Sequence, residues 1–173
     1  MDMTGEERIA ASREAVWAAL NDVAVLKQCI PGCESLEKTS DTDMAARVKL
    51  QVGPVRAAFT GKVTLSDIDP PNGYRISGEG QGGVAGYAKG GAVVRLVDDG
   101  AGTLLKYEAK ADVGGKLAQL GGRLIDSTAK KLAGEFFQKF GEIVGGSGGD
   151  APSPVLARKE GWFRRLWRRL FGG

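Results

Sequence analysis

A change of hydrophobic period in the middle of the chain constrains the fold more than any other feature of the sequence. Across residues 44–113, apolar and polar side chains alternate one by one, which is typical of strands with one buried face. Across residues 116–144, apolar residues recur at helical spacing, which predicts one amphipathic helix of about 29 residues and about 43 Å. The chain must therefore bury a one-faced sheet, and the long helix is the element that can cover it.

Turn-forming residues divide the alternating region into strands. Pro70, Pro71, Asn72 and Gly73 form one such turn, and short connections make neighbouring strands antiparallel. The predicted strands are residues 3–10, 34–39, 44–52, 55–65, 74–80, 84–97 and 105–113. Two short helices are expected after the first strand, one capped by Ser12 and ending near Leu20, the other covering residues 23–30. The prediction is an α+β fold in which a curved antiparallel sheet of seven strands wraps around the long helix.

The residue types that usually carry catalysis are scarce. The chain has no histidine, which excludes Ser-His-Asp triads, Cys-His dyads and most metal sites. Cys29 and Cys33 are expected to be ordinary buried thiols, because two thiolates alone make a poor zinc site and disulfides are rare in the cytoplasm. Glu79, Glu108 and Asp112 fall on outward strand positions. We therefore expect neither a metal nor an enzymatic activity.

Charge is divided unevenly along the chain. The whole chain has a net charge of +3, but residues 155–173 alone carry six cations and one anion, so the rest is mildly acidic. A basic tail on an acidic body favours a tethering segment over a nucleic-acid-binding domain. No stretch approaches the roughly 18 to 20 consecutive apolar residues of a spanning helix, and the first residues lack a signal-peptide core. The expected location is the cytoplasm.

Residues 161–173 are predicted to form a short amphipathic helix, joined to a domain of residues 1–145 by a flexible Gly- and Pro-containing linker of residues 146–160. Its apolar positions occupy one half of a helical wheel and four arginines occupy the other. Such a segment suits the plane of an anionic membrane interface, although it could instead pack on its own domain or in a partner's groove. The segregation of the two faces argues against RNA binding. The predicted membrane-binding residues are Trp162, Phe163, Arg164, Arg165, Leu166, Trp167, Arg168, Arg169, Leu170 and Phe171.

The predicted inner face of the sheet carries unusually many small residues. A packed core normally needs larger side chains to reach native density, so small ones facing a helix predict an apolar ligand cavity. The alternative is simple close packing, or glycines required for sheet curvature. These small inward residues are Ala46, Ala57, Gly61, Gly78, Gly80, Ala88, Gly90, Ala92, Ala109 and Ala111.

Side chains from the sheet and the helix would line this cavity. Either of its tyrosines could donate a hydroxyl to a ligand, although a core tyrosine bonded to the backbone is the more ordinary outcome. The predicted lining is Val48, Ala57, Phe59, Tyr74, Ile76, Ala88, Gly90, Ala92, Tyr107, Ala109, Leu117, Leu120 and Leu124. Alternate turns of a meander lie at one end, so Gly-containing connections are expected to surround a mouth, unless glycine is there only to make turns. These mouth residues are Gly53, Pro54, Gly82, Gly83, Gly114 and Gly115.

The order of elements resembles the helix-grip fold of the START-like (SRPBCC) superfamily. The stretch Cys29-Ile30-Pro31-Gly32-Cys33-Glu34 resembles the hallmark motif of the CoxG family of carbon monoxide dehydrogenase subunits. The matching context covers about residues 1–145 and includes the turn at residues 52–55 and the Gly-rich residues 77–82. The tail resembles the membrane-binding end that some members carry.

The resemblance implies a non-catalytic companion of a molybdenum carbon monoxide dehydrogenase, peripheral on the inner face of the cytoplasmic membrane. We expect the cavity to hold a lipophilic small molecule, a respiratory quinone such as menaquinone or ubiquinone, with no covalent cofactor. Anionic membrane lipid is the expected partner of the tail, and no nucleic acid is expected. The alternatives are a pure membrane adaptor or an assembly factor for the molybdenum site. The partner enzyme could also be a related molybdenum hydroxylase.

Overall fold

A single antiparallel sheet of seven strands forms the body of the protein. The computed structural model describes the backbone of residues 1–149 and the side chains of residues 1–145. In chain order the elements are β1 (Asp2–Ile9), α1 (Arg13–Leu20), α2 (Val23–Cys29), β2 (Cys33–Lys38), β3 (Asp43–Val52), β4 (Val55–Asp69), β5 (Gly73–Gln81), β6 (Tyr87–Asp99), β7 (Gly102–Gly114) and α3 (Gly122–Gly149). The strand order is β1-β7-β6-β5-β4-β3-β2. This arrangement confirms the predicted α+β fold.

The two short helices begin where their capping residues allow. Ser12 Oγ accepts the N–H of Ala15 at 3.1 Å, and Asp22 Oδ1 accepts the N–H of Ala24 at 2.9 Å. Each bond satisfies an amide that has no partner inside its helix. The predicted cap at Ser12 is confirmed, and the separate cap at Asp22 makes α1 and α2 two distinct helices.

The long helix begins later than its hydrophobic spacing predicts. Residues Gly115–Leu120 form a 3₁₀ turn, and Gly121 has a φ of +92°, which a right-handed helix cannot contain. The predicted start at residue 116 is therefore wrong, and α3 begins at Gly122. At its other end α3 continues to Gly149, four residues into the predicted linker. The remaining linker residues and the predicted helix of residues 161–173 lie outside the described residues.

A second 3₁₀ turn shortens the sixth strand. The alternation predicts a strand from residue 84, but Gly83–Ala85 form a 3₁₀ turn and β6 starts at Tyr87. The turn ends at Gly86, whose φ of +114° redirects the chain into β6.

The hydrophobic core lies at one end of the sheet, where α1, α2 and the second half of α3 meet it. The largest fully buried side chains are Phe140, Leu105, Val16 and Thr103. Gly145 of α3 packs against Ala10, so the helix is held close to the chain at this end. We call this region the packed half; its buried cluster is Ile9, Ala11, Val16, Ala19, Leu20, Leu26, Cys29, Leu36, Met44, Leu65, Tyr74, Val94, Leu96, Leu105, Phe140 and Val144.

Candidate functional site

Strand register brings nine small inward residues together on the inner face of the sheet. One row across β3 to β6 contains Ala46, Gly61, Gly80 and Ala88 in consecutive pairs. The next two rows, across β5 to β7, are Gly78–Gly90–Ala111 and Ala92–Ala109. All nine are half-buried although they face inward. We call this patch the floor; its members are Ala46, Gly61, Gly78, Gly80, Ala88, Gly90, Ala92, Ala109 and Ala111.

The structure requires glycine at some positions of the floor and leaves room for a side chain at others. A Cβ added at Gly90 would lie 2.0 Å from the carbonyl oxygen of Lys110, so the neighbouring strand itself requires glycine there. A Cβ added at Gly80 would meet nothing closer than 3.9 Å, so sheet geometry leaves room for a side chain at that position. Backbone crowding therefore explains part of the floor but not all of it.

The first half of α3 faces the floor without closing over it. Leu124, Thr128 and Leu132 are half-buried, whereas Phe140 and Val144 farther along the same helix are buried. The closest backbone neighbours of α3 are α2 and β1, and the central strands β4 to β7 approach it less. Side chains on both surfaces consequently remain partly accessible, and we call the space between the floor and residues 124–133 of α3 the hollow.

Most of the predicted cavity residues share this inner surface. Ala57, Phe59, Ile76 and Val48 alternate inward with the floor and are half-buried, as is Leu120 in the 3₁₀ turn before α3. Leu117, in the same turn, is buried.

Tyr74 is the predicted cavity residue that the structure places elsewhere. Its side chain is only 4% exposed, its ring lies 5.2 Å from that of Trp17, and its hydroxyl donates to the carbonyl oxygen of Leu20 at 3.3 Å. Burial raises the pKa of Tyr74 to about 12. Tyr74 therefore belongs to the packed half and not to the hollow, because its position on β5 is next to the end that α1 covers.

Tyr107 lies between the packed half and the hollow. Its ring stacks on Phe137 of α3 at a centroid distance of 5.5 Å. It also lies across Gly5 of β1, where an added Cβ would come 2.4 Å from the tyrosine hydroxyl oxygen. Glycine at position 5 therefore makes room for this ring, which turns its hydroxyl toward the edge of the sheet.

Sequence reasoning missed an acidic side chain near Tyr107. Glu7 occupies an inward position of β1, is half-buried, and has its pKa raised by that burial. The pKa of Tyr107 is raised mainly by burial and, to a smaller extent, by the negative charge of Glu7. The alternation Met3, Gly5, Glu7, Ile9 was the signal that could have shown it, because it places Glu7 on the same face as Ile9.

Three connections lie together at one end of the hollow. Gly53, in the turn between β3 and β4, approaches Leu124 so closely that an added Cβ would lie 2.7 Å from its Cδ2. A Cβ on Gly82, after β5, would lie 2.4 Å from the ring of Phe59, and one on Gly115, after β7, would lie 2.6 Å from Gly86 Cα. These contacts hold the three connections and the start of α3 together at one end.

The Cys-Ile-Pro-Gly-Cys-Glu motif fastens the edge of the sheet. Gly32 has a φ of +76°, and its carbonyl accepts the N–H of Lys49 at 2.9 Å. Glu34 then pairs across the strands with Arg47 at 3.0 Å and with Lys49 at 3.3 Å. The motif joins α2 to β2 and fixes β2 on β3, which is a structural role.

The two thiols of the motif are free. Cys29 is buried and Cys33 half-buried, and burial raises the pKa of both. Within residues 1–149, no group of three or more histidine, cysteine, aspartate or glutamate side chains could hold a metal ion. The same part of the chain contains no helix long and apolar enough to cross a membrane.

A shallow cleft of about 620 Å³ lies on the opposite, outer face of the sheet. Charged side chains of both signs alternate around it, with Glu6 and Glu108 beside Lys106 and Arg95. This mixture on an open surface is typical of a solvated sheet face, and no arrangement there points to one ligand.

Comparison with known families and structures gives a consistent result. A family model for CoxG, described as a subunit of carbon monoxide dehydrogenase, matches residues 5–145. A conserved protein from Geobacillus kaustophilus is 30% identical with a TM-score of 0.80, over 85% of this chain and 97% of that chain. TTHA0849 from Thermus thermophilus is 15% identical with a TM-score of 0.64, over 85% and 99%. Ara h 8.0201 is 13% identical with a TM-score of 0.59, over 83% and 97%; these last two show the fold alone. No curated protein matches the chain.

Proposed function

The chain belongs to the CoxG family of carbon monoxide dehydrogenase subunits, and on that premise we propose that it is a non-catalytic, membrane-tethered carrier for a molybdenum carbon monoxide dehydrogenase. Its hollow holds a lipophilic small molecule, a respiratory quinone such as menaquinone or ubiquinone. The ligand would connect a soluble enzyme with electron acceptors that reside in the lipid. The family suggests the association with carbon monoxide dehydrogenase; the carrier role is our own proposal.

The floor of the hollow is the observation that supports a carrier. Nine glycine and alanine residues on β3 to β7 form one patch, and the first half of α3 opposite them leaves both surfaces half-buried. A concave surface of methyl groups and backbone suits a flat apolar ring, since such a ring gains by leaving water and meets no bulky side chain. Tyr107 adds an aromatic ring at the inner end of the floor, while its hydroxyl lies over Gly5 at the edge of the sheet.

Membrane attachment is supported by the sequence of residues 161–173. Six apolar side chains and four arginines follow one another there in pairs, which on a helix places them on opposite faces, as in an interfacial helix. Each arginine near an anionic leaflet contributes on the order of 1 kcal/mol, so the tail alone would bind reversibly. A reversible tether on the inner face of the cytoplasmic membrane suits a carrier, which must meet both the bilayer and the enzyme.

Solvent extraction of the purified protein tests the carrier proposal. The full chain is isolated from its native membranes, extracted with organic solvent and analysed by mass spectrometry. We expect about one quinone per chain. Ala88→Phe or Ala92→Phe should lose it, because a ring on the floor occupies the hollow. Ser77→Phe is the matched control, since it places the same ring on the outer face of β5.

A ligand-free adaptor or assembly factor is the second candidate. The crowding at Gly90 favours it, because close strands require that glycine whether or not a ligand binds. An extract without quinone or lipid, from protein that still binds vesicles through its tail, would support the adaptor and contradict the carrier.

A further inference from the structure

Val84 stands out among the large hydrophobic side chains of residues 1–145. It is 88% exposed, about twice as much as Val97, Tyr87 or Ile68, whose exposures are 45%, 44% and 42%. It lies at the centre of the 3₁₀ turn Gly83–Ala85 between β5 and β6. One exposed valine is not unusual, so its meaning depends on its surroundings.

Val84 lies on the rim of the hollow. The turn that carries it ends at Gly86, which contacts Gly115 in the connection between β7 and α3. The same end contains the turn at Gly53, which contacts Leu124. We call residues 53–57, 81–87 and 114–125 the rim; its exposed apolar side chains are Val84 and Tyr87, with Pro54 and Ala118 also exposed.

The rim is basic. It contains Arg56, Lys116 and Arg123, all exposed, and no aspartate or glutamate; Asp126 follows one residue beyond it. On the strands that lead to the rim, Lys62, Glu79, Lys89 and Asp112 follow one another across the register, so their charges compensate.

The turns at the opposite end of the sheet are acidic. Residues 39–43, 67–72 and 98–101 contain six aspartates and no lysine or arginine. Three of these aspartates pair with arginines of nearby elements, Asp99 with Arg8, Asp98 with Arg13 and Asp67 with Arg75. The other three are Asp41, Asp43 and Asp69. The domain therefore carries opposite charge at its two ends, which orients it near an anionic surface.

We propose that Val84 and the basic rim form a second membrane-contact surface, which seats the mouth of the hollow on an anionic bilayer. An apolar tip flanked by cations fits the boundary between headgroups and acyl chains. A lipophilic ligand then passes between bilayer and hollow without crossing water, which would otherwise cost the transfer free energy of its whole apolar surface. This inference rests on the proposed carrier function.

Chain length allows the rim and the tail to bind one bilayer together. α3 starts at the rim and, with its 28 residues, carries the chain about 42 Å toward the opposite end. From Gly149 to Trp162 the chain can extend at most about 43 to 47 Å. The fully extended linker therefore just spans the length of α3, so the tail can reach a bilayer that the rim also contacts. In that arrangement the tail attaches the protein and the rim orients it.

Vesicle co-sedimentation of the full chain tests the rim. The probe is vesicles of phosphatidylcholine and phosphatidylglycerol in equal parts. Val84→Asp should lower the partition coefficient about tenfold, because it removes a valine that inserts into the bilayer and adds repulsion from the headgroups. The matched control is Val97→Asp, an exposed valine of β6 near the acidic end, which should change it less than about twofold.

A shortened linker gives an independent measurement. Deleting residues 150–155 leaves about 25 Å of reach, too little for simultaneous contact. In that background Val84→Asp should no longer weaken vesicle binding, since the rim and tail cannot act together.

The outcomes separate this inference from the carrier proposal. Equal binding by Val84→Asp and Val97→Asp overturns the rim surface, and it leaves the carrier standing if quinone is still extracted. Loss of dehydrogenase association by Val84→Asp without loss of vesicle binding also overturns it, because the surface would then meet a protein. A tail variant with Arg164, Arg165, Arg168 and Arg169 changed to alanine that binds vesicles normally contradicts the proposed tether.

Discussion

The packed half and the hollow are built on the same strands but use side chains of different size. In the packed half, β6 and β7 present Val94, Leu96 and Leu105, and the second half of α3 closes over them with Phe140, which is 0% exposed. A few residues farther along, the same two strands present Ala88, Gly90 and Ala109, and α3 leaves them half-buried. Side-chain volume along each strand therefore decides where the domain is solid and where it stays open.

This difference separates stability from binding. A hydrophobic core stabilises a fold in proportion to the apolar surface it removes from water, so most of that stabilisation comes from the packed half. The hollow contributes less and can accept changes of volume. Matched substitutions in the two regions should therefore have unequal effects.

A pair of leucine truncations should show the largest contrast. Leu105→Ala removes a side chain that is 1% exposed and should lower the free energy of unfolding by about 2–5 kcal/mol, because it leaves a cavity. Leu124→Ala, at the half-buried start of α3, should cost about 1 kcal/mol. Urea denaturation measures both. Similar costs at the two sites would contradict the division into halves.

High pH should destabilise the packed half through Tyr74. Its pKa is about 12 in the folded protein and about 10 when unfolded, so its contribution is complete below pH 10 and is lost as pH rises through 12. That loss is on the order of 2–3 kcal/mol. Tyr74→Phe should be less stable than wild type by about 1 kcal/mol at pH 8, through the missing bond to Leu20.

Comparing wild type with Tyr74→Phe isolates the effect of Tyr74, because the other tyrosines are present in both proteins. The stability gap measured by urea denaturation should shrink above pH 10, close before about pH 11 and be reversed by pH 12. A gap that stays constant across this range would show that the hydroxyl titrates normally and lies in a hydrated site.

Enlarging an alanine should be harmful only where the structure is packed. Ala19→Phe, in α1 against the core, should cost about 1–3 kcal/mol or more, because the surrounding side chains cannot move apart without strain. Ala88→Phe should cost less than about 1 kcal/mol, since its ring enters the hollow. Thermal unfolding of the two variants measures the contrast. A large loss for Ala88→Phe would mean that no hollow exists.

The smallest difference concerns threonine hydroxyls. Thr103 is fully buried, and its hydroxyl donates to the carbonyl oxygen of Ala11 at 2.8 Å. Thr103→Val should cost about 1–2 kcal/mol, because that carbonyl loses its partner away from water. Thr128→Val, on the half-buried face of α3, should change stability by less than about 0.5 kcal/mol. Chemical denaturation at neutral pH distinguishes them, and equal costs would place Thr128 in a packed environment.

Local sequence patterns predicted the sheet well. The period-2 alternation identified the inward face of every strand from β3 to β7, and the structure places Ala88, Gly90 and Ala92 on that face. This succeeds because side chains of a strand alternate by geometry, whatever surrounds them. The cap at Ser12 and the antiparallel connections were equally local features.

The errors came from effects that local patterns do not contain. Tyr74 and Tyr107 both alternate inward, but only the position of α1 at one end of the sheet makes Tyr74 part of the core. The spacing of Leu117 and Leu120 continues that of α3, yet the left-handed conformation of Gly121 separates them from it. The distinction between floor and core depends on how strands register and how helices lie, which sequence spacing alone does not give.

Alanine methyl groups lie in both the hollow and the packed half, so they can show which of the two regions holds a quinone. NMR spectra of the full chain with isotope-labelled alanine methyls would be recorded before and after adding decylubiquinone. We predict shifts at Ala88, Ala92 and Ala109 on the floor and none at Ala11 and Ala19 in the packed half. Unchanged floor methyls at saturating quinone, or shifts of the same size in both regions, would contradict quinone binding in the hollow.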